Sequence, residues 1–344
     1  MSNFPVLASI LSEKNLGEFV KDKYNLDEKF QCKLFRTGVN HTYFISDKNN
    51  KYVIRVYCYD WRTKTEIQEE LRLLQLLKEN SLSVSYPIPD KENNLIQEIN
   101  APEGLRYIVL FSYAEGEKMR FMDNETCFAM GQLMAKFHNI TSNKSINRTT
   151  YNSELLLTKS YERLTEFFSE DLSEMKYLKK TGIEIAKKFQ DIEQSEFQKG
   201  IVHLDIWYDN VSVKNKEEIT IFDFDNCGNG FLFLDIGYFF IQLFHIESDK
   251  EVYESKVESF LNGYRNVREI TEKEIKLIPE AGASIFAFYL GVQAKRFDWS
   301  NIFLTENYLK MFVGRIITWK EYYNSKEITV AKPRPLAKII KPTI

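Results

Sequence analysis

A chain of 344 residues, 44% hydrophobic and 28% charged, has apolar material for a sizeable core and length for two domains or lobes. Its net charge of −3 and pI near 6.0 argue against a dedicated nucleic-acid surface. Four cysteines (Cys32, Cys58, Cys127, Cys227) stand far apart with no C-x-x-C pair, which speaks against a zinc site or disulfide framework and for a reducing compartment. The N-terminus lacks a basic segment followed by an apolar one, and no run of 18 apolar residues occurs. The expected protein is cytoplasmic, with neither membrane nor nucleic acid as a partner.

The first 110 residues read as strand-rich. Phe30–Phe35 and Tyr43–Ile45 flank the turn Thr37-Gly38-Val39-Asn40, and Asp47–Asn50 makes a polar turn into the strand Lys51–Tyr57. Residues 62–79 switch to a helical period, with Ile67, Leu71, Leu74 and Leu77 in one stripe. Strands follow near Leu95–Ile99 and Arg106–Phe111. Five strands and one helix make a compact α+β unit. From Glu117 onward helical patterns dominate, over Asp123–His138, Ser153–Phe168, Ser173–Gln194, Asp235–Phe244, Lys250–Tyr264, Glu272–Val292 and Asn301–Tyr323. The predicted organisation is an N-terminal lobe (1–111), a hinge (112–116), a larger helical lobe (117–331) and a basic, proline-containing tail (332–344).

Chemistry concentrates between residues 203 and 225. His203 to Asn210 reads His-Leu-Asp-Ile-Trp-Tyr-Asp-Asn, and Asp223-Phe-Asp225 begins thirteen residues later. Between them, Val211–Val213 and Ile219–Phe222 flank the polar turn Asn215–Glu218, the pattern of a tight hairpin. Equal strands place Asn210 and Asp223 side by side at one end, the arrangement phosphoryl transfer needs. Asp205 is the candidate proton acceptor, His203 an orienting residue, and Asn210 with Asp223 the candidate metal ligands. Asp235 is either a helix N-cap or a brace beneath this loop.

The N-terminal part supplies an opposing set. Arg55 shares a strand face with Val53, and a cation in an apolar strand wants an anionic partner. Glu70 falls inside the apolar stripe of the helix, where a carboxylate is a misfit unless paired. An Arg55–Glu70 pair that steadies nucleotide phosphates satisfies both; exposure of both at an edge is the alternative. Gly38 and Asn40 lie in a turn whose backbone N–H groups suit phosphate.

These residues together resemble the aminoglycoside phosphotransferase and choline kinase superfamily, the small-molecule branch of the protein-kinase-like fold. The resemblance rests on Gly200–Asn210, Ile221–Asp225 and Leu234–Ile236, with Tyr52–Tyr57, Glu70–Leu74 and Gly131–His138 in support. It spans roughly residues 30 to 245 and is similar above all to the homoserine kinase type II and stress-response kinase branch. It implies a bilobal α+β fold with ATP and Mg2+ as cofactors and a small-molecule hydroxyl as acceptor: an amino acid, an amino alcohol or an aminoglycoside-like compound. By the same resemblance Asp205 deprotonates the acceptor, Asn210 and Asp223 hold magnesium, Arg55 replaces the usual strand lysine, and Ser112 to Ala114 meet adenine beneath Val53. Leu204 stands where relatives often carry glycine, Trp207 and Tyr208 fill positions commonly small, and arginine is not interchangeable with lysine. A protein Ser/Thr kinase and a nucleotide-binding regulator without turnover are the rival readings, and a monomer or homodimer is expected. Glu247, Asp249, Arg296, Asp298 and Trp299 are candidates for the acceptor pocket. An acidic cleft there would favour cationic acceptors, a basic one carboxylate-bearing acceptors.

Overall fold

The computed structural model describes residues 4–193, 197–296 and 300–326. Asp298, Trp299 and the tail lie outside the described residues.

The N-terminal part is built on a six-stranded antiparallel sheet. Strands β1 (Gln31–Arg36), β2 (Asn40–Ser46) and β3 (Lys51–Tyr57) form a meander, and β6 (Gly104–Ser112) pairs with β3. The short β4 (Pro87–Ile88) and β5 (Gln97–Ala101) both pair with β6. Alternation along β3 sorts its side chains: Ile54 and Val56 face outward, Val53, Arg55 and Tyr57 inward. Helix α2 (Lys64–Glu79) covers the inner face. It starts at a capping box between Thr63 and Glu66, and its stripe of Ile67, Leu71, Leu74 and Leu77 is buried as predicted, with Glu70 among them.

The outer face carries an element that the pattern of strands conceals. Helix α1 (Glu13–Tyr24), capped by Ser12, packs Leu16 and Val20 against Tyr43, Ile45, Ile54 and Val56. The sheet is therefore covered on both faces.

The C-terminal part is mostly helical: α3 (Asn124–Thr141), a π-helical turn (Glu154–Lys159) running into α4 (Ser160–Thr165), α5 (Ser173–Glu193), α6 (Phe233–Ile246), α7 (Lys250–Arg265), α8 (Glu272–Lys295) and α9 (Glu306–Ser325). Two small antiparallel ladders carry the chemistry. β7 (Lys199–Val202) pairs with β10 (Gly228–Phe231), and β8 (Val211–Lys214) pairs with β9 (Glu218–Ile221). By length and composition α8 could cross a membrane, yet 78% of its apolar window is buried inside the protein, so it is the core helix here. This is the mixed architecture predicted: an antiparallel sheet lobe followed by a helical lobe.

Candidate active site

The predicted hairpin forms in the predicted register. Val211 pairs with Ile221, and the Phe222 N–H donates to the Asn210 carbonyl at 3.0 Å. Asn210 and Asp223 thereby emerge at one end. Asp223 takes a left-handed conformation, φ 66°, which turns its half-exposed carboxylate toward Arg55.

Between the two lobes lies a cleft of about 650 Å³. Of the residues singled out from sequence, Gly38, Asn40, Val53, Arg55, Glu70, Ala114, Asp205, Asn210 and Asp223 all line it. Arg55 donates to Glu70 at 2.7 Å and to Asp223 at 2.9 Å. The Asn210 Nδ2 group donates to the Asp205 carboxylate at 2.8 Å and to the Asp205 carbonyl at 3.0 Å. Burial, and then the charge of Asp223, push the Asp205 carboxyl well above the usual carboxylate range. Hydrogen bonds from Tyr238 and Asn210 oppose that rise.

Two predicted residues stand behind the cleft wall rather than on it. Ser112 ends β6 with its backbone N–H donating to Tyr86, its carbonyl accepting from the Ser85 hydroxyl, and its own Oγ accepting from the Tyr86 N–H. Ser112 itself does not line the cleft, and its hydroxyl hydrogen remains available as a donor. Tyr113 and Ala114 do line the cleft, and among the described residues their backbone groups have no protein partner. His203 is wholly buried: its Nδ1 accepts from the Asp205 N–H at 3.1 Å, and its Nε2 faces the Phe222 carbonyl at 3.2 Å. Burial lowers its pKa, so the ring is a neutral strut between the Asp205 loop and the Asp223 loop.

Asp235 resolves in favour of the brace. The helix starts two residues earlier than predicted, so Asp235 lies in its first turn and is not the cap. Its carboxylate accepts from the His203 N–H at 3.0 Å and the Leu204 N–H at 2.6 Å, and lies 3.2 Å from His138 Nε2. Leu204 is itself left-handed, φ 65°, a conformation that glycine adopts without steric cost.

Sequence reasoning missed a second clamp. Asp225 accepts from Trp61 Nε1 at 2.8 Å and from Arg62 at 3.2 Å, and Arg148 reaches the Asp225 carbonyl and lies 3.6 Å from Glu70. Burial alone would raise the Asp225 carboxyl, but Arg62, Arg148 and Arg55 hold it well below its ordinary range. Trp61 and Arg62 sit just ahead of a helix cap and Arg148 in an irregular loop, so no periodicity marks them. The proposed acceptor residues fare differently. Glu247 is paired with Lys256 at 2.5 Å, Asp249 caps α7, and Arg296 stacks on Trp61; none lines the cleft.

A carboxylate and an amide stand side by side, with a second carboxylate across a hairpin and a cation between that carboxylate and a buried glutamate. The sequence profile of the phosphotransferase enzyme family (APH) matches residues 31–270. The chain belongs to this family. It is 25% identical over 299 residues to a homoserine kinase of Agrobacterium fabrum, covering 84% of this chain and 86% of that protein. An uncharacterized protein of Synechocystis is 26% identical over 306 residues, covering 87% and 83% of the two chains. Among solved structures, a microcompartment-associated aminopropanol kinase superposes with a TM-score of 0.75 at 21% identity, covering 91% of this chain and 98% of that one. The amicoumacin kinase hAmiN, solved in complex with AMP-PNP, Ca2+ and Ami, gives 0.74 at 20% identity, covering 89% and 93%. The chain is thus a phosphotransferase of the small-molecule kinase kind, acting on a hydroxyl group.

Proposed function

We propose that this enzyme transfers the γ-phosphate of ATP, with magnesium, to a hydroxyl of a small molecule. The observation that carries the reading is the Asp205–Asn210 contact at 2.8 Å, in a cleft that also holds Asp223 and Arg55. The donor set fits the metal: magnesium takes oxygen ligands and is held by one or two protein groups plus substrate phosphates. Asn210, whose Nδ2 faces Asp205, keeps its Oδ1 for that role, and Asp223 keeps the oxygen not engaged by Arg55. When bound, the magnesium nucleotide supplies the phosphoryl group and neutralises its charge.

The chain's own residues do the rest by positioning and electrostatics. Asp205 orients the acceptor hydroxyl and takes its proton, for which a raised carboxyl pKa is suited. His203 and Asp235 act through Asp205, as positioning residues that hold its loop. Arg55 offers donors to phosphate, Gly38 and Asn40 cover it from above, and Val53 with the free backbone of Tyr113 and Ala114 provides an adenine slot. Relatives whose names specify homoserine or aminopropanol support a small alcohol.

The decisive experiment is transfer by Asp205→Asn, followed as ADP release with amino acid, amino alcohol and aminoglycoside acceptors. Turnover should fall by about 100- to 10,000-fold, while calorimetry shows nucleotide affinity retained within a few-fold. Undiminished transfer in that variant rejects the assignment.

A further inference from the structure

The end of the cleft away from the nucleotide carries a charge that the phosphate chemistry does not use. From Asp205 an aromatic wall leads outward across the helical lobe. The Tyr238 hydroxyl is hydrogen-bonded to Asp205 and accepts from Gln242 at 2.8 Å. Phe286 lies 6.4 Å from the Tyr238 ring, and Phe312 lies 4.8 Å from Phe286. One turn of α9 beyond Phe312 is Arg315, which also lines the cleft.

The carboxylates of the cleft are already matched to cations, Asp205 excepted. Asp209 lies between Arg36 at 3.3 Å and Lys118 at 2.6 Å. Asp223 and Glu70 share Arg55, and Asp225 is held by Arg62. Arg315, by contrast, has no carboxylate partner among the described residues. Gln293 beside it accepts from the Tyr308 hydroxyl at 2.9 Å through Oε1, which leaves its Nε2 as a donor. Burial, and next the charge of Arg315, pull the neighbouring His245 down to about 4, so that imidazole is neutral at physiological pH. This pole therefore presents donors and one positive charge, with an apolar surface between it and Asp205.

We infer that the acceptor is a carboxylate-bearing alcohol, its hydroxyl at Asp205 and its carboxylate taken by Arg315. This rests on the phosphotransferase reading above and narrows its acceptor to one charge class. A guanidinium matches a planar carboxylate through two parallel hydrogen bonds. The same charge repels the ammonium of an amino alcohol, so it selects as well as binds.

The test uses full-length enzyme with magnesium ATP and three series of acceptors matched at four to six carbons: ω-hydroxy acids, diols and amino alcohols, with L-homoserine alongside. ADP release should be most efficient with the hydroxy acids or homoserine. Arg315→Gln should raise KM for those acceptors on the order of 10- to 100-fold, with no matching rise for the diols or for ATP. Arg315→Lys should recover part of the loss, and Arg315→Glu should move preference toward the amino alcohols. An unchanged KM for hydroxy acids in Arg315→Gln overturns the assignment of Arg315, as does a wild-type preference for amino alcohols. Either result leaves the phosphotransferase reading standing. Transfer to none of the series above the Asp205→Asn background overturns the carboxylate-bearing acceptor class.

Discussion

Asp205 is held in surroundings that oppose its own charge: it is half-buried in the cleft wall, and Asp223 stands close by. A carboxyl raised in this way lowers the stability of the fold at neutral pH and stops doing so once the pH falls below its unfolded value. Asp205→Asn should therefore melt roughly 2–4 °C above the wild type at pH 7, the gap closing toward pH 4. A calorimetric series over that range checks both the sign and the window. Leu204 next door sets two effects against each other. Its left-handed backbone costs about 1–2 kcal/mol for a non-glycine residue, whereas its fully buried side chain is worth about 2–5 kcal/mol against truncation. Burial wins, so both truncations destabilise. Glycine is ordinarily worse than alanine by up to about 1 kcal/mol, but here only glycine relieves the strain. Leu204→Gly should accordingly unfold at the same urea concentration as Leu204→Ala, or a higher one. The ordinary order, with Gly clearly below Ala, rejects strain at this residue.

At the scale of elements, the spacing of helices around the site depends on one close crossing. A Cβ added to Gly237 in α6 would meet the Ala281 Cβ at 2.6 Å and the Gly282 nitrogen at 2.8 Å in α8. Both contacts are with the neighbouring helix and have no flexible end to move. Gly237→Ala should destabilise by about 1–3 kcal/mol. It should also shift Tyr238 away from Asp205 and lower kcat by tenfold or more, read together from urea unfolding and steady-state rates. Such a crossing is invisible in sequence, and this marks what was legible. The hairpin from Val211 to Ile221 could be read because alternation and a polar turn are local signals. Glu70 stood out because a charge in an apolar stripe contradicts its surroundings. Helix α1 went unread although Leu16, Phe19, Val20 and Tyr24 stand at helical spacing, because the strong alternation of the strands that follow dominates the reading of this lobe. Trp61, Arg62 and Arg148 could not be read at all, since their partners lie on segments distant in sequence and only the fold brings them to Asp225. Arg315 was missed for the opposite reason: arginine on a helix is usually solvated, and only its place on the cleft wall distinguishes it.

Across the whole molecule, the lobes are joined through the catalytic hairpin more than through the hinge. The Ser85 N–H donates to Ile221, whose own N–H donates to Ser83. Arg36 from β1 reaches Asp209, and Arg55 from β3 reaches Asp223. Deepest of these ties is Glu70, fully buried, between Arg55 of its own lobe and Arg148, which follows α3 in the other. A buried carboxylate with two guanidinium partners contributes little beyond an apolar substitute but is costly to break. Its value lies in fixing how the lobes face each other, because each partner is satisfied only in the closed arrangement. Arg148→Met should cost about 3 kcal/mol, and Glu70→Gln a similar amount, each leaving buried charge short of a partner. Combined, they should cost less than their sum, with a coupling energy of roughly 0.5–3 kcal/mol. Urea unfolding of the two single variants and the double variant measures that term. Additivity within about 0.3–0.5 kcal/mol would show that Glu70 and Arg148 act independently, and that the lobes are held by the hairpin alone.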